Sequence, residues 1–495
     1  MPNPLAPVTT SSWDRSRARH LLNRAGFGIP LHEVDRLAAM SPEAAVARFV
    51  EFEARPDWFQ PPDFLPAPFD FAAKRREVAG LTEEERKDLF KERMREEHQA
   101  MAQLQDWWLD QMLTTLQPLQ AKLTLFWHGH FATSAQKVKS CRNNWQLFQV
   151  FREKAAGSFR ELVRSVGKSP AMLEYLDNEK NKKGHPNENW ARELMELFTM
   201  GRGNYTEDDI KEAARAFTGW MRVGEKFWFN AHAHDDGVKT VLGRKGDFDG
   251  DQVVDIVVEN PATAKFVAKK MWEFFAYEEP ETEVVEGLAR VFTEAKFELK
   301  PLLRAMFLSE AFYSPRSVGN QVKSPVQLVL GLLDGLDVPL ALESGRFARL
   351  ILTGLGQDLF HPPNVKGWPG NRAWIDTNTL LLRCNAAGIL VNGLDPEDMA
   401  GGEGEGARRR GLPRRIRSPF EAMKWAGRRM AGAKTAEEAA DRVTEILLGR
   451  RPTAEQRTVL ARALGAGTGQ AWKANEDGVR AVVHLVTSMA EYQLC

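Results

Sequence analysis

Apolar positions recur at helical spacing along most of this chain, and the most regular pattern runs from Gly184 to Trp220. At about 100° per residue, Asn189, Arg192, Glu193, Glu196 and Thr199 share one arc of a helix, while Trp190, Ala191, Leu194, Met195, Leu197 and Phe198 fill the other. Gly201 and Gly203 supply the permissive backbone of a helix exit. Thr206 with Asp209 has the spacing of a capping box and starts a second helix, whose narrow stripe is Ile210, Ala213, Ala214, Phe217 and Met221. The stretch reads as a helical hairpin, and the rest of the chain is organised around it.

Taken in order, residues 13–52 give short helices broken by Gly26, Gly28, Pro30 and Pro42. Residues 57–70, rich in proline and aromatics, have no period and read as an irregular wrap over a core. Thr82 and Glu85 cap a long charged helix that meets the core at Trp107, Trp108, Leu109 and Met112. The next helix, Leu119–Phe131, places His130 on its apolar stripe and His128 about 200° away, so the two could chelate one ion only if Gly129 ended the helix. Phe227–Phe229 and Lys239–Gly243 flank a polar loop as a hairpin or two edge strands, and Gly250-Asp251 reads as a turn and helix cap. The prolines and glycines of HPPNVKGWPGNRAW make a stiff loop that holds Trp368 and Trp374. The expected fold is mainly α: a multi-helical large domain over residues 1–392 with a minor β-hairpin, a Gly/Arg-rich linker over 393–418, and a small helical region over 419–495. The ending LVTSMAEYQ echoes the run Met306–Tyr313, which hints at a degenerate internal repeat.

Charge alters this picture little. The 67 basic and 67 acidic residues cancel, so no global field favours nucleic acid or acidic lipid. Arg408–Arg417 is a local basic cluster, but without interleaved aromatics it reads as solvated linker. Three scattered cysteines make neither a disulfide framework nor a metal cage. No stretch approaches the roughly 20 apolar residues needed to span a bilayer, and the start of the chain lacks an export-type apolar segment. The expectation is a soluble, cytoplasmic protein.

Six blocks carry a resemblance. HLLNRAGFG, LFWHGHFATS, PAMLEYLDNEKN, NENWARELMELFTMGRGNYTEDDIKEAARAFTGW, HDDGVKTVLGRKGDFDGDQVVDIV and GQDLFHPPNVKGWPGNRAWI follow one another as in a bacterial family catalogued as domain of unknown function 1800. The chain resembles that family over residues 15–390. Members of the family often carry export signals, from which this sequence departs. The resemblance brings no activity with it.

Candidate chemistry must therefore come from side chains. In an extended segment His232, His234 and Asp236 would share a face and could ligate a divalent ion, although Gly237 breaks the metallo-β-lactamase pattern. Asp247–Asp251 fails as a calcium loop, because its glycine is misplaced and Val258 stands where a bidentate glutamate is required. No phosphate loop, dinucleotide fingerprint or nucleophile elbow occurs. Two readings remain. In the first, a metal-dependent hydrolase holds an ion with His128, His130, His234 and Asp235. Glu193 and Glu196 then act as acid and base, and Arg192, Lys239 or Lys366 stabilises developing charge. In the second, a non-catalytic binding or assembly protein uses the same blocks as a buried polar network. Asn187, Asn189, Lys366, Trp368 and Trp374 would then serve recognition of a protein partner.

Overall fold

The structure, a computed structural model, describes residues 5–28, 30–55, 59–68, 70–393, 418–465 and 471–495. Apart from Gly393 and Ser418, the expected linker and its Arg408–Arg417 cluster lie outside those residues. Among them are 22 α-helices and only two small antiparallel sheets, so the protein is mainly α with a minor β component. No described helix is long and apolar enough to cross a membrane.

Local sequence accounts for many helix starts. Capping boxes form at Thr82 with Glu85, at Thr206 with Asp209 and at Asp249 with Gln252, each satisfying amides that an open helix end leaves bare. The long helix spans Glu83–Thr114, solvated at first and buried from Ala100 onward. Residues 59–68 cross its surface without regular structure. Trp107 Nε1 donates to the Gln60 carbonyl at 3.2 Å, and Phe59 stacks on Trp145.

Two hydrophobic cores result. The first joins helices between Arg15 and Leu308, with Trp127, Trp190, Phe198, Phe217 and Trp272 among its rings. The second joins the buried half of Glu83–Thr114 to the helices Pro325–Gly335, Leu342–Gly354 and Thr377–Asn392. It also takes in Trp425, Val443, Val479 and Tyr492, so the described C-terminal helices are packed into it.

The weak repeat has a structural counterpart. Helices Pro261–Phe275, Thr282–Glu294 and Leu299–Leu308 lead into a 3-10 turn at Glu310–Tyr313. Ala436–Leu448, Ala454–Ala463 and Glu476–Ser488 lead into another at Ala490–Gln493. In both, one extended residue, Ser309 or Met489, separates helix from turn.

The β segments decide between the two expected arrangements. Phe227–Phe229 and Lys239–Val241 are strands, but they do not pair with each other. β1 (Trp220–Val223) pairs with β2 (Lys226–Phe229), and β3 (Lys239–Val241) with β4 (Arg244–Gly246). Gly224 and Gly243, both at positive φ, allow each strand to close on its immediate neighbour, which is the shortest loop available.

Candidate functional site

The organising hairpin is built from Asn189–Glu193, a π-helical turn over Leu194–Thr199, and the helix Glu207–Ala216. Periodicity at about 100° per residue expects one regular helix, and the widened turn departs from it. Its far end is held by a neighbour. His130 Nε2 lies 2.9 Å from the Phe198 carbonyl and donates to it. On the polar side, Arg192 bonds Glu188 and Glu207, while Glu196 takes hydrogen bonds from Arg202 at 2.7 Å and from the Tyr205 hydroxyl at 3.3 Å. Glu193 is different. Its half-buried carboxyl accepts no hydrogen bond from a described residue, and burial, then the charge of Glu196, hold its pKa above the usual carboxylate range. Arg192, Lys366 and Arg202 pull the other way. The exposed Lys366 side chain likewise makes no hydrogen bond or ion pair with a described residue.

Lys366 is delivered by the stiff loop, which docks on the end of the helix Pro118–His130. Gly367 has φ +80°, and a Cβ there would lie 2.0 Å from the Gly129 carbonyl oxygen, so only glycine fits. The Trp368 ring then covers Gly129 and lies 5.2 Å from the His128 ring, while Trp374 turns inward and is buried. Gly129 does not end the helix, which runs to His130, and the two histidines serve different partners. His128 Nε2 accepts the Phe360 amide at 3.1 Å inside a cage of Trp108, Phe360 and Trp368. Burial brings its pKa down to about 3, as it does for His130, although the Phe198 carbonyl opposes the shift there.

His232–Asp236 is not extended. Ala231–Ala233 forms a 3-10 turn because the Asn230 side chain accepts the His232 amide, which leaves His232 exposed and Asp236 paired with Lys183. His234 Nδ1 donates to the Thr218 carbonyl at 2.8 Å, and the Asp235 amide donates to the Thr218 hydroxyl at 2.7 Å. Asp235 meets Arg215 in a two-pronged pair, whose hydrogen bonding is the main cause of a pKa brought down to about 2. Lys239 is fully buried and donates to the Gly237 carbonyl at 3.0 Å and to Asp247 at 3.4 Å.

Several side-chain roles escaped sequence reasoning, which read Asp209 only as a helix cap. Asp209, Glu212 and Arg215, spaced by three along the helix Glu207–Ala216, bond alternate backbone groups of the β3 segment. Asp209 takes the Leu242 amide at 2.7 Å and Glu212 the Thr240 amide at 3.1 Å, while Arg215 donates to the Val238 carbonyl at 3.1 Å. Helix side chains thus satisfy backbone groups along one side of this short strand. Asn181 ties the same layer together: its Nδ2 donates to the Ala214 carbonyl and its Oδ1 accepts the Asn187 amide. Asn187 in turn accepts the Asn189 amide, and Asn189 donates to the Leu176 carbonyl. The regular spacing of Asp209, Glu212 and Arg215 was the available signal, but it looks like any solvated helix face.

A family model described as protein of unknown function (DUF1800) matches residues 20–494. The chain belongs to this family. Comparison with curated proteins and with solved structures returns no match. The DUF1800 match reaches well past residue 390 and takes in the C-terminal helices that share the second core.

Within this DUF1800 chain the polar blocks form two groups. His128, His130, Glu193, Glu196, Lys366 and Trp368 gather around the π turn and the docked loop. His234, Asp235 and Lys239 belong with Arg215, Thr218 and Asp247. Among the described residues, no three His, Cys, Asp or Glu side chains are placed to hold one metal ion. His234 and His130 each have one ring nitrogen on a backbone carbonyl, as metal-bound histidines often do, but further ligands do not converge on the other nitrogen.

Proposed function

We propose that this protein is a non-catalytic binding or assembly protein whose recurrent polar blocks are a structural network. The observation that carries this reading is the set of bonds from Asp209, Glu212 and Arg215 to the β3 segment, continued through Asp235, Thr218 and His234. These buried and part-buried side chains are committed to backbone groups and to one another, as a structural network requires, and are not left free for a metal or for proton transfer. Glu193 and Lys366 stand apart. The charge of Lys366 acts on Glu193, neither side chain bonds a described residue, and the loop carrying Lys366 is fixed by the Gly129–Gly367 contact, so we assign them to the recognition face. Trp368, packed over Gly129, supports the loop that carries Lys366.

A photo-crosslinking residue placed at Lys366, and separately at Lys87 on the solvated half of the long helix, tests the assignment in the producing cell. The expected result is a discrete crosslinked species at 366 that is missing at 87. Equal labelling, or none at 366, would refute the recognition face. The hydrolase reading is tested on protein purified without added metal or a histidine tag. Near-stoichiometric zinc, manganese or iron, lost in correctly folded Glu193→Ala and His234→Ala, would overturn the structural reading.

A further inference from the structure

Away from both polar groups, a cavity of about 170 Å³ lies where the first helices meet the last. Asn23, Lys323, Gln327, Asp334 and Tyr492 contribute to its polar lining, together with His32 and Arg429. Three of these, the buried Lys323 and Tyr492 and the partly buried Asp334, make no side-chain hydrogen bond with a described residue. Tyr492 is 2% exposed, and its hydroxyl has no hydrogen-bond partner among the described residues. An unmatched buried hydroxyl is costly, so its persistence calls for an explanation. Lys323 is 8% exposed, with Nζ 3.8 Å from the centroid of the Tyr492 ring, and it makes no hydrogen bond or ion pair with a described residue. Burial brings this ammonium down to about 8, with Cys495 acting against the shift and Arg383 adding to it.

Asp334 shares the cavity lining, and its charge acts on the Tyr492 hydroxyl. A Cβ on Gly28 would stand 2.3 Å from its Oδ2, so the carboxyl is pressed against that backbone, yet it accepts no hydrogen bond from a described residue. Burial raises its pKa; Arg429 and His32 draw it down, and Asp337 pushes it further up. The separation of Asp334 from Tyr492 can be gauged from the helix Pro325–Gly335: the Tyr492 hydroxyl is 3.9 Å from where a Cβ of Gly331 would be, and Asp334 follows three residues later, about 4.5 Å along the axis.

We propose that this cavity binds a small organic carboxylate bearing an amino or hydroxyl group about three or four carbons from the carboxyl carbon. The Lys323 ammonium and Tyr492 hydroxyl donate to its carboxylate. Asp334 accepts from the distal donor, and the amides of Asn23 and Gln327 line the path between them. One ligand would satisfy groups that the fold leaves unmatched.

The test uses the full chain, with calorimetry and thermal melts in the presence of 4-aminobutyrate, 4-hydroxybutyrate, butyrate and butylamine. The two bifunctional probes should bind at millimolar concentration or better and raise Tm, with butyrate and butylamine weaker by about tenfold or more. Tyr492→Phe should leave the Tm of the free protein unchanged or higher, because it removes an unpartnered hydroxyl, while weakening the bifunctional probes by about tenfold. Asp334→Asn should reduce the preference for 4-aminobutyrate over butyrate, and it reads the second contact if Tyr492→Phe folds poorly. Absence of binding by every probe would overturn the proposal. So would butyrate binding as tightly as 4-aminobutyrate, or a Tyr492→Phe protein that folds and binds as well as wild type.

Discussion

Lowering the pH from 7 to 5 should weaken this fold through two histidines in particular. His128 and His130 are both brought down to about 3 by burial, and a proton on His128 Nε2 would also face the Phe360 amide that it now accepts. In the unfolded chain each imidazole titrates near 6.5. The sign follows from linkage: the folded state holds them neutral, so their contribution is complete above about pH 6.5 and is lost as pH falls toward about 3. At pH 5 the gap from the unfolded pKa is about 1.5 units, which at about 1.36 kcal/mol per unit is about 2 kcal/mol for each residue and about 4 kcal/mol for both. The result barely depends on the folded pKa so long as it stays well below 5. The assay is urea denaturation at pH 7 and pH 5 for wild type, His128→Gln, His130→Gln and the double variant. His20, also depressed by burial, remains in all four proteins and cancels in the comparison. The double variant should lose about 4 kcal/mol less than wild type over the same pH change, and each single variant about 2 kcal/mol less. Equal losses in all four would mean that the imidazoles titrate normally in the fold. They would then be reachable by solvent, and the structural role given to them here would fail.

Other perturbations probe the rest of the network. Gly367→Ala should cost about 2 kcal/mol or more in urea titrations, since its Cβ meets the Gly129 carbonyl at 2.0 Å and φ is +80°. Glu193→Gln should leave Tm at pH 7 unchanged or slightly raised, because the ionised carboxyl is disfavoured by burial and has no bond to lose; a marked fall would reveal a partner. Asp235→Asn should destabilise by about 1–2 kcal/mol at pH 7. The wild-type carboxylate should keep its contribution until pH falls below about 3.8 and lose it toward about 2. Cys141, fully buried and with its thiol pushed up to about 12, should react with thiol reagents only on unfolding, whereas the partly exposed Cys384 should react in the native state.

Much of the local structure was legible because its causes are local. Thr82 with Glu85 and Thr206 with Asp209 satisfy amides three residues away, so a capping box can be read from spacing alone. The stripe Ile210, Ala213, Ala214, Phe217 and Met221 announced a buried helix face; the first four are buried, whereas Met221 lies beyond the helix in β1 and is half-buried. The π turn was not legible in the same way. Leu194–Thr199 has good helical periodicity, and its departure is accompanied by a bond from His130, some seventy positions earlier in the chain, to the Phe198 carbonyl. The 3-10 turn at Ala231–Ala233 was decided by Asn230 taking the His232 amide, a choice that overrode the alternation of His232, His234 and Asp236.

By itself, the sequence determined the helical class, several helix starts, the family and the residues that carry its polar blocks. These rest on periods of a few residues and on motif order, which survive without knowledge of the fold. Only the tertiary structure decided what those residues do. Asp209, Glu212 and Arg215 look like a wet helix face until β3 is placed beside them, and His128 looks like a ligand until Phe360 is seen to use its lone pair. Tyr492, Lys323 and Asp334 become a candidate site only when the last helices close against the first. Hydrogen-bond demand is a property of each side chain, whereas its satisfaction depends on groups brought from far along the chain.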